Sequence, residues 1–246
     1  MLDKLELSVV LPAYKEKENL AVFIPNIEEE FKGTNFEIVV VDDNSKDGTR
    51  ELLDTLNLTY RNIIFVERPA LLGIGSALRD GFNKAQGVFV MSVDADLSFT
   101  TQDMKRLLEK IREGYDLVLA YKTKYQLVDK DGFEGARSEK LKYAISILGN
   151  WTVRTLSRLP FKNFNTSFRI LRREKWLQIT TKEDRKFFDL ETILKFSRKG
   201  FRITEIPVTF YERRLGASKV SFLKEAPRYF GKLIWYVFFE KDTTEV

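Results

Sequence analysis

The chain of 246 residues has neither cysteine nor histidine. Those two absences exclude disulfides, thiolate nucleophiles, Cys/His zinc sites and every catalytic triad that runs on an imidazole base. Chemistry has to rest on carboxylates, Lys, Arg, Tyr or a metal ion bound through oxygen. Long apolar runs are missing too. Nothing approaches the roughly 18 consecutive apolar residues of a membrane span, and the N-terminus lacks the cationic segment, apolar stretch and small-residue cleavage site of a secretory signal. A cytoplasmic location is the expectation, so the three glycosylation sequons at Asn57, Asn150 and Asn165 carry no glycan.

Acidic charge is the scarcer sign. Lys and Arg number 41 against 36 Asp and Glu, a net charge of +5 and a pI near 9.2. A basic surface favours anionic partners: nucleotide phosphates, phospholipid head groups or nucleic acid. The length suits one large α/β unit, with no internal repeat and no low-complexity segment.

Apolar β-type runs at 7–11, 36–41, 63–66, 88–93 and 117–120 alternate with segments of helical period at 16–31, 47–56, 76–85 and 101–112. That alternation predicts right-handed βαβ units and a mostly parallel sheet flanked by helices. A polar loop at 122–135 is expected next, then a long helix at 138–156, a strand at 168–171, a helix at 190–198 and a strand at 203–210. The tail over 222–239 mixes aromatic and aliphatic residues with Lys224, Arg228 and Lys232, the composition of an amphipathic helix.

Residues 88–98 organise the rest. A buried strand ends abruptly in two carboxylates one residue apart, Asp94 and Asp96. In an open parallel sheet, ligands bind outside the carboxyl ends of the strands, and a hard divalent cation takes one or two carboxylates together with substrate phosphates. Asp94 and Asp96 supply that set, although Asp96 and Ser98 also suit the cap of a following helix. Two other strands end on the same rim, in Pro12-Ala13-Tyr14-Lys15-Glu16 and in Asp42-Asp43-Asn44-Ser45-Lys46-Asp47-Gly48-Thr49. Asp43 can accept hydrogen bonds from ring N–H groups of a base, and Tyr14 can stack on it. Residues 43–54 imitate a calcium loop, but a strand precedes them where an EF-hand has a helix. Gly73-Ile74-Gly75 imitates a dinucleotide fingerprint whose third glycine is Leu78, which argues against a nicotinamide cofactor. Its glycines can let backbone approach a ligand. Arg213-Arg214-Leu215-Gly216-Ala217-Ser218-Lys219 gathers three cations around a glycine, suited to a pyrophosphate.

The order of these motifs, with Thr166-Ser167-Phe168-Arg169 between them, resembles family 2 glycosyltransferases, and within them the dolichyl-phosphate mannose synthases and other polyprenyl-phosphate hexosyltransferases. The resemblance runs from about residue 7 to residue 220. It implies a GT-A fold over residues 1–220, with residues 221–246 as a C-terminal amphipathic helix and tail. It also implies a nucleotide-sugar donor, GDP-mannose first, and Mg²⁺ or Mn²⁺. Carried over, Pro12, Tyr14, Glu16 and Asp43 hold the nucleoside, Asp94 the sugar-ribose region and the metal, and Asp96 the metal. Arg213 and Lys219 hold phosphates, Arg169 lines the acceptor side, and Lys122 takes a substrate-binding place. The pattern departs from those synthases in Ser98, Ala120-Tyr121-Lys122 and Asn163.

The reaction implied is a single displacement with inversion, in which Arg213 and a metal on Asp96 stabilise the leaving nucleoside diphosphate. The acceptor is a polyprenyl phosphate, and the enzyme sits peripherally on the cytoplasmic face of a membrane, with a separate membrane subunit as a further partner and no nucleic acid. Two other readings remain open here. One is transfer to a hydroxyl acceptor with Asp189 as general base, although Asp189 also suits the N-cap of the helix after it. The other is a non-catalytic, membrane-associated nucleotide-binding module.

Overall fold

The computed structural model describes residues 4–126, 149–211 and 222–240. Among them, seven strands form one sheet in the order β3-β2-β1-β4-β6-β5-β7. These are β1 (Leu7–Ala13), β2 (Phe36–Asp42), β3 (Ile63–Glu67), β4 (Phe89–Ser92), β5 (Leu117–Gln126), β6 (Arg169–Arg172) and β7 (Ile203–Tyr211). All neighbours are parallel except β6, which runs against both β4 and β5. The helices are α1 (Lys17–Glu30), α2 (Thr49–Tyr60), α3 (Ile74–Lys84), α4 (Thr101–Arg112), a helical segment α5 over 149–157, α6 (Arg173–Trp176), α7 (Phe187–Arg198) and α8 (Phe222–Phe238).

The expected mostly parallel α/β sheet is present. Its inner strands read as unbroken apolar runs because both faces are covered. Val9, Leu11, Ile38, Val40 and Met91 point to one face, where Phe23, Ile27, Met104, Leu107 and Ile111 of α1 and α4 close over them. Val10, Val39, Val41 and Val90 point to the other, under Leu78, Phe82, Ile193 and Leu233 of α3, α7 and α8. Helix α3 comes close: a Cβ on Gly81 would sit 2.3 Å from Val10 Cγ1, so only glycine fits there. Thr100 starts α4 by accepting the Asp103 amide at 3.1 Å, satisfying one of the donors that a helix leaves free at its N-terminus.

Several boundaries differ from expectation. Strand β5 continues to Gln126, beside β7 and across a register shift between Lys122 and Lys124, so the polar stretch after residue 121 begins as strand. The remainder of that loop, and the expected helix as far as residue 148, lie outside the described residues. Helix α7 begins at Phe187 behind Lys186, which puts Asp189 inside its first turn and not at its cap. The short α6 was not expected. The sequon asparagines serve as acceptors within the fold, Asn57 for the Ile63 amide, Asn150 for the Phe164 amide and Asn165 for the Tyr229 hydroxyl.

Helix α8 is held by polar contacts beneath its apolar inner edge. Tyr236 Oη lies 3.0 Å from Glu191 and 3.3 Å from Glu183, Lys232 pairs with Glu183, and Arg198 reaches Glu240 at 3.2 Å. The carboxylate of Glu191 accepts the amides of Lys182 and Glu183. Through residues 180–186, α8 is thereby tied to the start of α3, where Gly75 and Ser76 donate to the Asp184 carbonyl at 2.9 and 3.1 Å.

Candidate active site

Strands β1, β2, β3 and β4 all leave the sheet on one rim. Strand β6 starts there because it runs the other way, Arg169 standing opposite Ser92. Only β1 separates β2 from β4, so the exits carrying Asp43 and Asp94 lie two interstrand spacings apart, about 10 Å.

The exits are tight turns. Lys15, Asn44, Lys46 and Leu97 all adopt positive φ, between 52° and 61°. Such conformations cost non-glycine residues energy and persist where surrounding contacts over-determine them. Those contacts are present. Ser45 donates its amide (2.9 Å) and its hydroxyl to Asp42, and the Lys15 amide donates to Ser45 Oγ at 2.7 Å. Asp47 accepts the amide and hydroxyl of Thr49 at 3.1 and 2.6 Å, starting α2. Burial acts to raise the Asp47 carboxyl, but the hydrogen bonds from Thr49 and Lys17 outweigh it and leave it below the ordinary range. Asp42, Ser45 and Asp47 thus brace the turn.

Asp43 is buried, and both carboxylate oxygens have donors: Arg68 on one and the Gly73 amide, at 3.2 Å, on the other. Burial raises its pKa, with the Arg68 charge acting against the rise. Arg68 also reaches Ser76, the Gly73 carbonyl and Asp80. Sequence reasoning passed over this arginine. Its signal is position, since it follows β3 on the same rim. The glycines beside it are explained as well. A Cβ on Gly73 would lie 2.5 Å from the Asp184 carbonyl and one on Gly75 2.6 Å from that of Arg185, so the backbone they admit is the protein's own.

Pro12 and Tyr14 are half-buried at the end of β1, and Lys15 stands 5.5 Å over the Tyr14 ring. Glu16 accepts a hydrogen bond from Asn19 Nδ2 at 2.5 Å. At the β4 exit, Asp94 is half-buried and accepts the Ser167 hydroxyl at 2.6 Å. Asp96 is buried and accepts the Ser98 amide at 3.0 Å. Ser98 Oγ is buried with no hydrogen-bond partner among the described residues, and the Ser98 carbonyl accepts the Tyr211 amide, which ties this loop to the end of β7. Arg213 and Lys219, ten residues or fewer beyond, lie outside the described residues. Lys122 sets its ammonium 3.5 Å from the centre of the Phe210 ring and 5.7 Å from that of Phe99, the residue after Ser98.

Beneath this surface Arg169 and Asp189 form a buried ion pair at 2.7 Å. Arg169 also donates to the carbonyls of Asp189 (3.0 Å) and Thr166. Burial pushes the Asp189 carboxyl up, and the Arg169 charge pulls it the other way. Arg169, expected on the acceptor wall, is fully enclosed, and the Asp189 carboxylate, which the hydroxyl-acceptor reading needs as a base, faces a guanidinium.

The model of the family described as glycosyl transferase family 2 matches residues 8–178. The chain belongs to that family. It is 28% identical over 221 residues to the polyprenol monophosphomannose synthase of Mycolicibacterium smegmatis, covering 87% of this chain and 80% of that protein. It is 36% identical over 115 residues to the dolichol-phosphate mannosyltransferase of Pyrococcus furiosus, covering 47% of this chain and 32% of that one. Identity to glycosyltransferase AglD of Haloferax volcanii is 27% over 228 residues, 89% of this chain and 35% of that one. The chain therefore spans about a third of the length of these last two relatives. The fold matches crystal structures of glucosyl-3-phosphoglycerate synthase from Mycobacterium tuberculosis. For the complex with Mn²⁺, UDP and phosphoglyceric acid the TM-score is 0.70 at 18% identity, covering 98% of this chain and 81% of that one. For the complex with Mg²⁺ and UDP it is 0.68 at 19% identity, covering 98% and 82%. The fold is GT-A-like, as the motif order implied.

Proposed function

We propose that this family 2 glycosyltransferase moves a hexose, mannose from GDP-mannose first, from a nucleotide sugar to a polyprenyl phosphate with inversion at the anomeric carbon. The observation that carries the reading is the rim itself, where Asp43 follows β2 and Asp94 and Asp96 follow β4, two parallel strands with only β1 between them, beside the start of β6. The relatives named for polyprenol- and dolichol-phosphate mannose synthesis support the acceptor and the sugar.

Asp94 and Asp96 suit Mg²⁺ or Mn²⁺. They are hard oxygen donors from one strand exit, and the buried Ser98 hydroxyl beside Asp96, which has no hydrogen-bond partner among the described residues, is a third. When bound, such an ion offsets charge on the departing diphosphate. Asp43, held by Arg68, and Tyr14 take the nucleoside, with Pro12 and Glu16 shaping that end. Lys122, Arg213 and Lys219 take phosphates, with Arg213 assigned to stabilise the leaving group. The acceptor's phosphate oxygen forms the new bond to the anomeric carbon as the bond to the diphosphate breaks, and the nucleoside diphosphate leaves with the electron pair. A phosphate monoester has its second pKa near about 6, so at neutral pH the nucleophile is already ionised and needs no base. The burial of Asp189 against Arg169 favours this acceptor over a hydroxyl, which needs one.

In this reading residues 1–220 form the catalytic unit, and residues 221–246 supply a helix and tail lying on the cytoplasmic face of a membrane, where a membrane subunit can join it. Among the described residues no helix is long and apolar enough to cross a membrane. The test is transfer from radiolabelled GDP-mannose, with UDP-glucose in parallel, to a polyprenyl phosphate in the presence of Mn²⁺. Labelled lipid from wild type and none from Asp96→Ala is the expected outcome. Label appearing only on hydroxyl acceptors, or no label at all from a folded wild type, would sink the proposal.

A further inference from the structure

The short segment 163–169 approaches the rim from the far side of β4, and successive residues of it are fastened to different parts of the fold. The Asn165 amide donates to its neighbour Asn163 at 3.1 Å, and the Asn165 side chain accepts the Tyr229 hydroxyl of α8 at 2.5 Å. The Thr166 carbonyl accepts the buried Arg169 guanidinium. The Ser167 carbonyl accepts the hydroxyl of Ser92, the last residue of β4. The Phe168 carbonyl accepts the Ala120 amide of β5 at 3.1 Å, and the Phe168 ring packs at a tilt of 38° on Phe99, 4.6 Å between centroids, at the far end of the Asp94–Ser98 loop. The backbone at Ser167 is therefore held from α8, β4, β5 and the buried ion pair together.

On that platform the Ser167 hydroxyl is buried and gives its single proton to Asp94 Oδ1 at 2.6 Å. Asp94 is partly open to solvent, so its carboxylate can be satisfied by water and has no need of the serine. What the bond does is remove freedom. A carboxylate at a strand exit otherwise rotates about a broad terminal torsion. With Oδ1 committed to a fixed donor, the second oxygen of Asp94 is presented in one direction.

We infer that Ser167 is a positioning residue for the donor site, orienting Asp94 so that one defined oxygen faces the cation and sugar nucleotide. The inference rests on the donor reading given above and adds a residue that the carboxylate motif does not contain. Partners of this kind, which hold a ligating carboxylate without touching the metal, change affinity when removed by about 10- to 100-fold.

The test measures binding directly. Mn²⁺ is titrated by electron paramagnetic resonance against the full chain with GDP or UDP present, for wild type, Ser167→Ala and Ser167→Thr, with thermal unfolding checked for each. Ser167→Ala is expected to weaken Mn²⁺ binding by about 10-fold or more while still folding, and Ser167→Thr, which keeps the hydroxyl, to restore most of it. Should the alanine variant not fold, Ser167→Cys keeps the volume and weakens only the donor, and the same loss is expected of it. Wild-type affinity in Ser167→Ala overturns the inference while leaving the donor reading standing, and so does an equal loss in folded alanine and threonine variants. A wild type that binds Mn²⁺ with neither nucleotide overturns the donor reading itself, and the inference with it.

Discussion

Arg169 and Asp189 meet at 2.7 Å with 0% and 2% of their side chains exposed, joining the start of β6 to the first turn of α7. Removing one partner of such a pair leaves an uncompensated charge in the interior, at a cost of about 3–5 kcal/mol, whereas replacing both with apolar residues is often neutral. Asp189→Asn is therefore expected to lower the urea-unfolding free energy by about that amount, and Arg169→Met with Asp189→Leu to recover most of it. The same variant tests the hydroxyl-acceptor mechanism. Unchanged stability and donor binding with turnover down about a hundredfold would mean that the carboxylate works as a base.

Arg68 stands in the same relation to Asp43, with 3% and 5% of the side chains exposed, but at the rim where a nucleoside is proposed to bind. Burial already raises the Asp43 carboxyl, and the Arg68 charge is the largest influence against that rise. With Arg68→Met the carboxyl rises further, so it stays protonated to a higher pH than in wild type and, where protonated, loses its value as an acceptor for ring N–H groups. Nucleotide binding by the variant is expected to be weaker and to improve as pH rises through the range in which the carboxyl ionises, a range shifted upward from that of wild type. Calorimetric titration across that range reads the outcome, and parallel pH profiles for the two proteins would contradict it. Arg68→Lys is not expected to rescue, because an ammonium cannot span Asp43, Ser76 and the Gly73 carbonyl at once.

These two pairs also mark the limit of what the amino-acid order reveals. The strands and the acids at their ends are legible, since strands buried on both faces read as apolar runs and a carboxylate terminating one is conspicuous. The destination of a carboxylate is not. Asp43 and Arg68 are 25 residues apart and Arg169 and Asp189 are 20 apart, and pairing over such separations leaves no periodic trace. Asp189 therefore passes equally for a cap and for a base. The far end of strand β5 is hidden for a different reason. Lys122 and Lys124 give residues 122–126 the polarity of a loop, although Tyr121, Thr123 and Tyr125, residue types that favour strands, alternate with them in the sequence.

Glu205, on β7, carries a prediction about pH. Burial raises its carboxyl above the ordinary range, with the Lys162 amide at 2.8 Å and the charges of Lys162 and Arg154 acting the other way. An acid whose folded pKa exceeds its unfolded one binds more protons when folded, so its contribution opposes folding as pH climbs from the unfolded value through the folded one. Glu205→Gln keeps an acceptor for the Lys162 amide and carries no charge. It is expected to be more stable than wild type at neutral pH, with the difference vanishing as pH falls below the usual carboxylate range. Denaturant unfolding of both proteins at several pH values checks this, and a gap that widens on acidification would refute it.

The outward side of α8 tests the proposed membrane placement. Leu233 and Tyr236 are buried against the body, whereas Ile234, Trp235, Phe238 and Phe239 stand 47%, 50%, 63% and 67% exposed on the opposite side. Aromatic and aliphatic side chains left open along one face of a helix suit the head-group boundary of a bilayer, and the net charge of +5 favours anionic lipid. Burying a side chain of this size is worth about 1.5–3 kcal/mol, and about 1.4 kcal/mol is tenfold in an equilibrium. Trp235→Ser with Phe238→Ser should therefore reduce sedimentation with phosphatidylglycerol vesicles by well over tenfold. Because neither side chain packs fully in the free protein, the unfolding temperature should barely move. Added salt should weaken wild-type binding only partly, since it screens the charge and leaves the apolar contribution. Equal sedimentation of variant and wild type would show that this face meets something other than lipid.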